Sequence, residues 1–210
     1  MKAAIFDMDG TLLDSMDCWR SLNLEYVLSL GITPTKKQRE EMYNLSGSLI
    51  IPYLKREFGV DAEFEPLLKS ACTAIEAHYR RGLPLKPGAK EYLLRLRARG
   101  VKCVLATATP ARQALVALNL SGLTPHLDYI FSTEMIGLHK NSVEFYDALC
   151  AMIGEEKRNC VMFEDALYAM QGARKAGLGV IGITDATNEL DRPEIIKICD
   201  QVIDSYDELA

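Results

Sequence analysis

The sequence predicts an α/β fold: a doubly wound parallel sheet of Rossmann type, with a small all-helical domain inserted after the first strand. Three observations predict it. Six short apolar runs recur, at residues 3–6, 102–106, 129–131, 160–163, 178–183 and 201–203, and most are apolar throughout, as strands buried on both faces are. Helical patterns lie between them, and alternation of strands with helices implies parallel pairing through right-handed crossovers. One gap breaks the rhythm. The first run ends near Phe6 and the next begins near Lys102, far beyond the roughly thirty residues of a βαβ unit.

The first strand, 3–6, reads Ala-Ala-Ile-Phe and leads directly into Asp7. The long gap reads as four helices: 17–30 stopping at Gly31, 35–43 opening after Pro34, 48–58 stopping at Gly59, and 65–81 stopping at Gly82. Residues 15–82 are therefore read as a helical cap domain, 1–14 with 83–210 as the α/β core, and 83–88 as the return linker. Such an insert sits over the carboxyl end of the sheet, where open α/β sheets bind ligands. Helix 89–99, stopping at Gly100, feeds strand 102–106. Helices 112–120, 143–153 and 166–176 then alternate with strands 129–131, 160–163 and 178–183, and strand 201–203 closes the sheet.

With 210 residues and 49% hydrophobic side chains, the chain can fill one sizeable core plus the insert. A net charge of −5 gives no electrostatic reason to bind nucleic acid or an anionic membrane. An anionic substrate then needs a local cation. No run approaches the about 20 apolar residues of a membrane span, and Met1–Phe6 is too short for a secretory leader. The cysteines at 18, 72, 103, 150, 160 and 199 form no Cys-x-x-Cys pair. Buried, reduced thiols in a cytoplasmic protein are the expectation.

Chemistry-bearing residues fall at the carboxyl ends of four predicted strands. Asp7 and Asp9 follow the first, Thr107 the second, Lys140 the segment after the third, and Glu164 with Asp165 the fourth. Magnesium favours hard oxygen ligands of the kind Asp7, Asp9 and Asp165 offer. A carboxylate can attack phosphorus, and Lys140 with a metal ion can offset the repulsion between two anions. The Thr107 hydroxyl and the backbone N–H groups around Gly10 and Thr11 can donate to phosphate oxygens. Asp9 can protonate a leaving oxygen and activate water. Taken singly, each has a bland alternative. Asp-Gly is turn chemistry, Thr107 and Asp165 suit helix caps, Lys140 suits a solvated surface, and Glu164 suits a salt bridge. Their order, each after its own strand, favours the joint reading. His78, His126 and His139 have no nucleophile elbow or metal-ligand spacing. Trp19, Tyr26, Tyr43 and Phe58 are expected to pack the insert or its hinge. Gly177-Leu178-Gly179 precedes a strand, so it is a helix stop and not a dinucleotide loop.

The ordered set resembles the haloacid dehalogenase-like hydrolase superfamily, in particular the subgroup with a helical cap after the first strand that includes β-phosphoglucomutase and many sugar-phosphate phosphatases. The run Phe6-Asp7-Met8-Asp9-Gly10-Thr11-Leu12-Leu13-Asp14-Ser15 carries the first motif almost residue for residue. Thr107 and Lys140 match the second and third. Phe163-Glu164-Asp165-Ala166, with Gly172 and Ala176-Gly177, matches the fourth. The resemblance spans essentially the whole chain. It implies that Asp7 is the nucleophile, that Asp9 is the acid/base, and that Mg²⁺ is held by the Asp7 carboxylate, the Asp9 carbonyl and Asp165, with Glu164 as a direct or outer partner. Cap residues Asn44 and Ser46 and the loop residue Ala108 would meet the substrate.

The departures narrow the reading. Lys140-Asn141-Ser142-Val143-Glu144 stands where relatives often have Lys-Pro-x-Pro-Asp. Pro110 follows Thr107-Ala108-Thr109, where mutase-like members offer polar or basic groups. Gly47 occupies the place of a phosphate-gripping arginine, for which Arg112 could compensate. Asp9 argues against the phosphonate-cleaving and dehalogenating branches, which lack it. The expectation is a Mg²⁺-dependent phosphatase acting on a small phosphorylated metabolite, as a monomer or weak homodimer. A sugar-phosphate phosphomutase is the alternative, and a non-catalytic phosphate-binding module is the third.

Overall fold

The computed structural model describes residues 1–43, 45 and 50–209. Six strands, β1 (Ala3–Phe6), β2 (Lys102–Thr107), β3 (Tyr129–Ser132), β4 (Cys160–Glu164), β5 (Gly179–Ile183) and β6 (Gln201–Ile203), form one sheet in the order β3-β2-β1-β4-β5-β6. Every pairing is parallel. The predicted doubly wound sheet is therefore present, and its order reverses at β1, between β2 and β4.

Side-chain alternation along β1 explains why the run is apolar throughout. Ala4 and Phe6 enter one core cluster, with Leu105 and Phe163. Ala3 and Ile5 enter the other, with Val104 and Met162. Successive residues point to opposite faces, and helices cover both, so neither face tolerates a polar residue. Phe6 stacks on Phe163 at 4.6 Å between centroids, and Tyr206 packs alongside.

Four helices, α1 (Met16–Ser29), α2 (Lys36–Tyr43), α3 (Ile50–Phe58) and α4 (Phe64–Arg80), lie between β1 and β2. They have a small core of their own, centred on Val27, Met42, Ile50, Tyr53 and Leu54. Leu22 of α1 and Ile75 and Tyr79 of α4 instead join the sheet's core cluster. The segments that enter and leave this helical block run side by side. Lys86 N–H donates to Leu12 O, Asp14 N–H donates to Pro84 O, and Leu13 pairs antiparallel with Leu85.

Beyond the block come α5 (Ala89–Ala98), α6 (Ala111–Ser121), α7 (Thr133–Ile136), α8 (Val143–Ile153), α9 (Leu167–Ala176) and α10 (Arg192–Ile198). The sequence reading lacks α7 and α10. The first is a single turn capped by Ser132, and the second has Pro193 in its first turn and only seven residues. Both are too short for periodicity to stand out. Helix α9 begins at Leu167 with Ala166 as its N-cap, so Asp165 does not cap it. All six cysteines are free thiols, four of them buried. Among the described residues, no helix is long and apolar enough to cross a membrane.

Candidate active site

The carboxyl ends of β1 and β4 meet at the reversal of strand order. Phe6 pairs with Phe163, so Asp7 emerges beside Glu164, and the Asp7 N–H donates to the Phe163 carbonyl at 3.0 Å. The Asp7, Glu164 and Asp165 carboxylates converge, with one oxygen of each within 4.8 Å of the others.

Lys140 projects into this group. Its Nζ donates to Asp7 Oδ1 at 2.7 Å and also to Glu164 Oε2. Its side chain is 1% exposed, which rules out the solvated surface charge that a lone lysine suggests. Ser142 caps α8 by accepting from the Phe145 N–H, which fixes the loop that carries the lysine. Gly172 on α9 is what lets that loop approach. A Cβ there would lie 2.2 Å from the Lys140 carbonyl oxygen, nearer than any side chain permits. Glu164 has both oxygens engaged, since Oε1 accepts the N–H groups of Asp165 and Ala166.

Three buried carboxylates facing one ammonium leave an excess of negative charge. Burial, reinforced by Glu164 and Asp9 and opposed by Lys140, raises the Asp7 carboxyl to about 8. Burial and the neighbouring Glu164 raise Asp165 well above the carboxylate range. Burial opposes charge on Lys140, but Asp7 and Glu164 outweigh it and hold the ammonium firmly protonated. A set of buried, hard oxygen donors with surplus anionic charge suits a divalent cation such as Mg²⁺.

Gly10 adopts φ 79°, and a Cβ there would strike Asp165 Oδ2 at 2.3 Å. The turn therefore needs glycine both for its backbone and for Asp165 to reach the site. The Gly10 N–H donates to Leu13 O at 2.8 Å, closing the turn. This corrects the expectation that it faces a phosphate. The N–H groups of Met8 and Asp9 have no protein acceptor among the described residues. Thr11 Oγ1 donates to Asp165 Oδ1 at 3.2 Å, so its hydroxyl orients Asp165. Thr107 is buried and its Oγ1 accepts from the Thr109 N–H, leaving its own hydrogen free to donate. Ala108 is exposed in the same turn. Asn44 and Ser46, with Gly47, lie outside the described residues. Arg112 is 77% exposed and pairs with Glu76 of α4 at 3.4 Å.

The Asp9 carboxylate points away from the acidic group, into hydroxyls. Ser15 Oγ donates to Oδ1 at 2.6 Å, the Tyr79 phenol donates to Oδ1 at 2.7 Å, and Thr109 Oγ1 donates to Oδ2 at 2.7 Å. Among the described residues, the Asp9 carbonyl oxygen accepts no hydrogen bond. The buried indole N–H of Trp19 lies beside the Tyr79 hydroxyl, short of hydrogen-bonding geometry.

The profile of haloacid dehalogenase-like hydrolases matches residues 1–177. The chain belongs to this family. Its curated relatives include hexitol phosphatase B of Escherichia coli K12, 26% identical over 162 residues that span 76% of this chain and 72% of that protein. A phosphorylated carbohydrates phosphatase of Thermotoga maritima is 24% identical over 190 residues, spanning 90% and 88% of the two chains. Among solved structures, CbbY from Rhodobacter sphaeroides in complex with phosphate superposes with a TM-score of 0.82 at 21% identity, covering 100% of this chain and 96% of that one. β-Phosphoglucomutase from Clostridium difficile gives 0.75 at 18% identity, covering 100% and 93%. At these identities the structures establish the shared haloacid dehalogenase-like fold, and the family makes the chain a hydrolase.

Sequence reasoning missed four residues of this hydrolase's site. Ser15 and Thr109 stand inside motifs that drew attention for their neighbours, and their spacing from Asp9 and Thr107 was an available signal. Tyr79 and Asn188 left none. Asn188 donates to the Asp165 carbonyl at 2.7 Å from the loop after β5. Only the fold brings these two residues to the site.

Proposed function

We propose that the protein is a Mg²⁺-dependent phosphatase that hydrolyses small phosphate monoesters through an aspartyl-phosphate on Asp7. The observation that carries this is the placement of the Asp7 carboxylate, at the reversal of the sheet, against the Lys140 ammonium and beside Glu164 and Asp165. The phosphatase names of the curated relatives support it and point to phosphorylated sugars and sugar alcohols as the substrate class.

Asp7, Asp165 and the Asp9 carbonyl would hold the metal, with Glu164 beside them. Bound Mg²⁺ supplies positive charge that stabilises the anionic transition state. The Thr107 hydroxyl, the Lys140 ammonium and the N–H groups of Met8 and Asp9 bind the phosphoryl oxygens. Asp7 attacks phosphorus while Asp9 gives its proton to the departing alkoxide. Asp9, now a carboxylate, takes a proton from water as that water attacks the aspartyl-phosphate. Inorganic phosphate leaves and Asp7 is restored. Burial of Asp7, Lys140, Glu164 and Asp165 keeps bulk water from the acyl phosphate.

Residues 15–82 act as a cap over the core of 1–14 and 83–210. The buried site requires them to lift for entry and release, and the paired segments 12–14 and 84–86 form the hinge. A panel of phosphorylated metabolites assayed with Mg²⁺ tests the reading. Asp7→Asn is expected to cut phosphate release by on the order of 10⁴-fold or more. Undiminished turnover would remove Asp7 as nucleophile.

A further inference from the structure

Asp9 is asymmetrically held. A carboxylate oxygen offers two lone-pair directions. Oδ1 has both filled, by Ser15 at 2.6 Å and Tyr79 at 2.7 Å. Among the described residues, Oδ2 has one filled, by Thr109 at 2.7 Å. The remaining direction, on Oδ2, is the one open to a reacting group. The three donors have different origins. Ser15 follows the β1 turn and Thr109 follows β2, but Tyr79 rides on α4, the last helix of the inserted block.

We infer that Tyr79 is a positioning residue: its phenol, with Ser15, saturates Oδ1 of Asp9 and so assigns the proton exchange with the leaving group to Oδ2. The inference rests on the reading of Asp9 as the acid/base.

Several features of the molecule support this role. Tyr79 is 2% exposed. Glu76, one turn earlier on α4, accepts from Gln113 and Arg112 of α6, and this contact seats the tyrosine against the core. Because the phenol belongs to the inserted block, Oδ1 is saturated only while α4 is seated. When α4 lifts, that oxygen loses a donor and the carboxylate is free to rotate. The placement of Asp9 is thereby tied to the position of a helix about seventy residues away in sequence.

Tyr79 also packs in the core cluster, so a purely structural role must be separable. Tyr79→Phe keeps the ring and removes only the hydroxyl. The loss should then depend on how much the leaving group needs a proton. An alkyl phosphate expels a strongly basic alkoxide and needs one, whereas p-nitrophenyl phosphate expels a weakly basic phenolate and hardly does.

The experiment measures kcat/KM for wild type and Tyr79→Phe with Mg²⁺ on both substrates, because kcat/KM reports departure of the leaving group and not the later hydrolysis that the two substrates share; the thermal midpoint is the fold check. A loss in kcat/KM of about tenfold on the alkyl phosphate and several-fold less on the aryl phosphate is the expected result. Equal losses on the two substrates, or no loss on either, would overturn the positioning role and leave the phosphatase reading standing. A wild-type protein that releases phosphate from neither substrate would overturn both.

Discussion

Asp7 and Asp9 sit two residues apart on one turn, yet they occupy opposite kinds of surroundings. Asp7 is held by charge: a buried ammonium on one oxygen and two more buried carboxylates beside it. Asp9 is held by three neutral hydroxyls. The difference follows from local geometry. The N–H of Asp7 still bonds to the adjacent strand, so its side chain stays over the sheet. The Gly10 turn then directs Asp9 towards Ser15 and the inserted helices. Environment assigns roles to otherwise identical carboxyl groups. A group among fixed charges suits a nucleophile that must remain in place. A group among rotatable hydroxyls suits one that gains and loses a proton each cycle.

The largest expected effect breaks the charged side. Lys140→Met leaves Asp7 and Glu164 buried without their cation, and should cost about 3–5 kcal/mol of stability. Denaturant unfolding would read it, and a cost below about 1 kcal/mol would mean that Lys140 does not balance the carboxylates.

The next effect sharpens the contrast through pH. A folded-state Asp7 at about 8 against an ordinary value of 3.8 means that the folded chain binds a proton there which the unfolded chain lacks. Stability from this group therefore falls as pH rises through that window. Mg²⁺ competes with the proton, so its stabilisation should be greater at pH 8 than at pH 5, reaching about 2.7 kcal/mol at a hundredfold excess over its Kd. Thermal shifts that are equal at the two pH values would contradict the assignment of the acidic group as the metal site.

The smallest effect lies on the neutral side. Thr109→Val removes the single donor to Asp9 Oδ2 and should cost about 1–2 kcal/mol, with Mg²⁺ affinity unchanged. Calorimetric titration with Mg²⁺ would show whether the two sides are as independent as their geometry implies. A large loss of affinity would show that they are coupled.

The charged side was largely legible in the sequence, because Asp7, Glu164 and Asp165 stand at the ends of apolar strands, strand ends converge in a parallel sheet, and Lys140 lies in the segment that follows the third strand. Asp7, Lys140, Glu164 and Asp165 could be named before any coordinates. The neutral side was legible only as far as Ser15 and Thr109, which stand inside the motifs. Hydroxyl residues occur everywhere, and nothing local ties Tyr79 in a helix to Asp9 in a turn. Gly10 shows a subtler limit: the need for glycine was readable, but not that its N–H would be taken by Leu13. In the fold, β1, β6 and α8 coincide with the sequence boundaries because abrupt polar or glycine stops bracket them. The short α7 and α10 lack the length to declare themselves.

The antiparallel pairing of 12–14 with 84–86 has a mechanical consequence. A single connecting strand would act as a swivel, free to turn about every bond. Two strands clipped by Lys86 to Leu12 and Asp14 to Pro84 form a ribbon, which bends readily across its face but resists sliding along its length. Any excursion of the helical block is thereby confined close to one rotational degree of freedom. The lifting proposed for substrate entry would then return the block along the same arc.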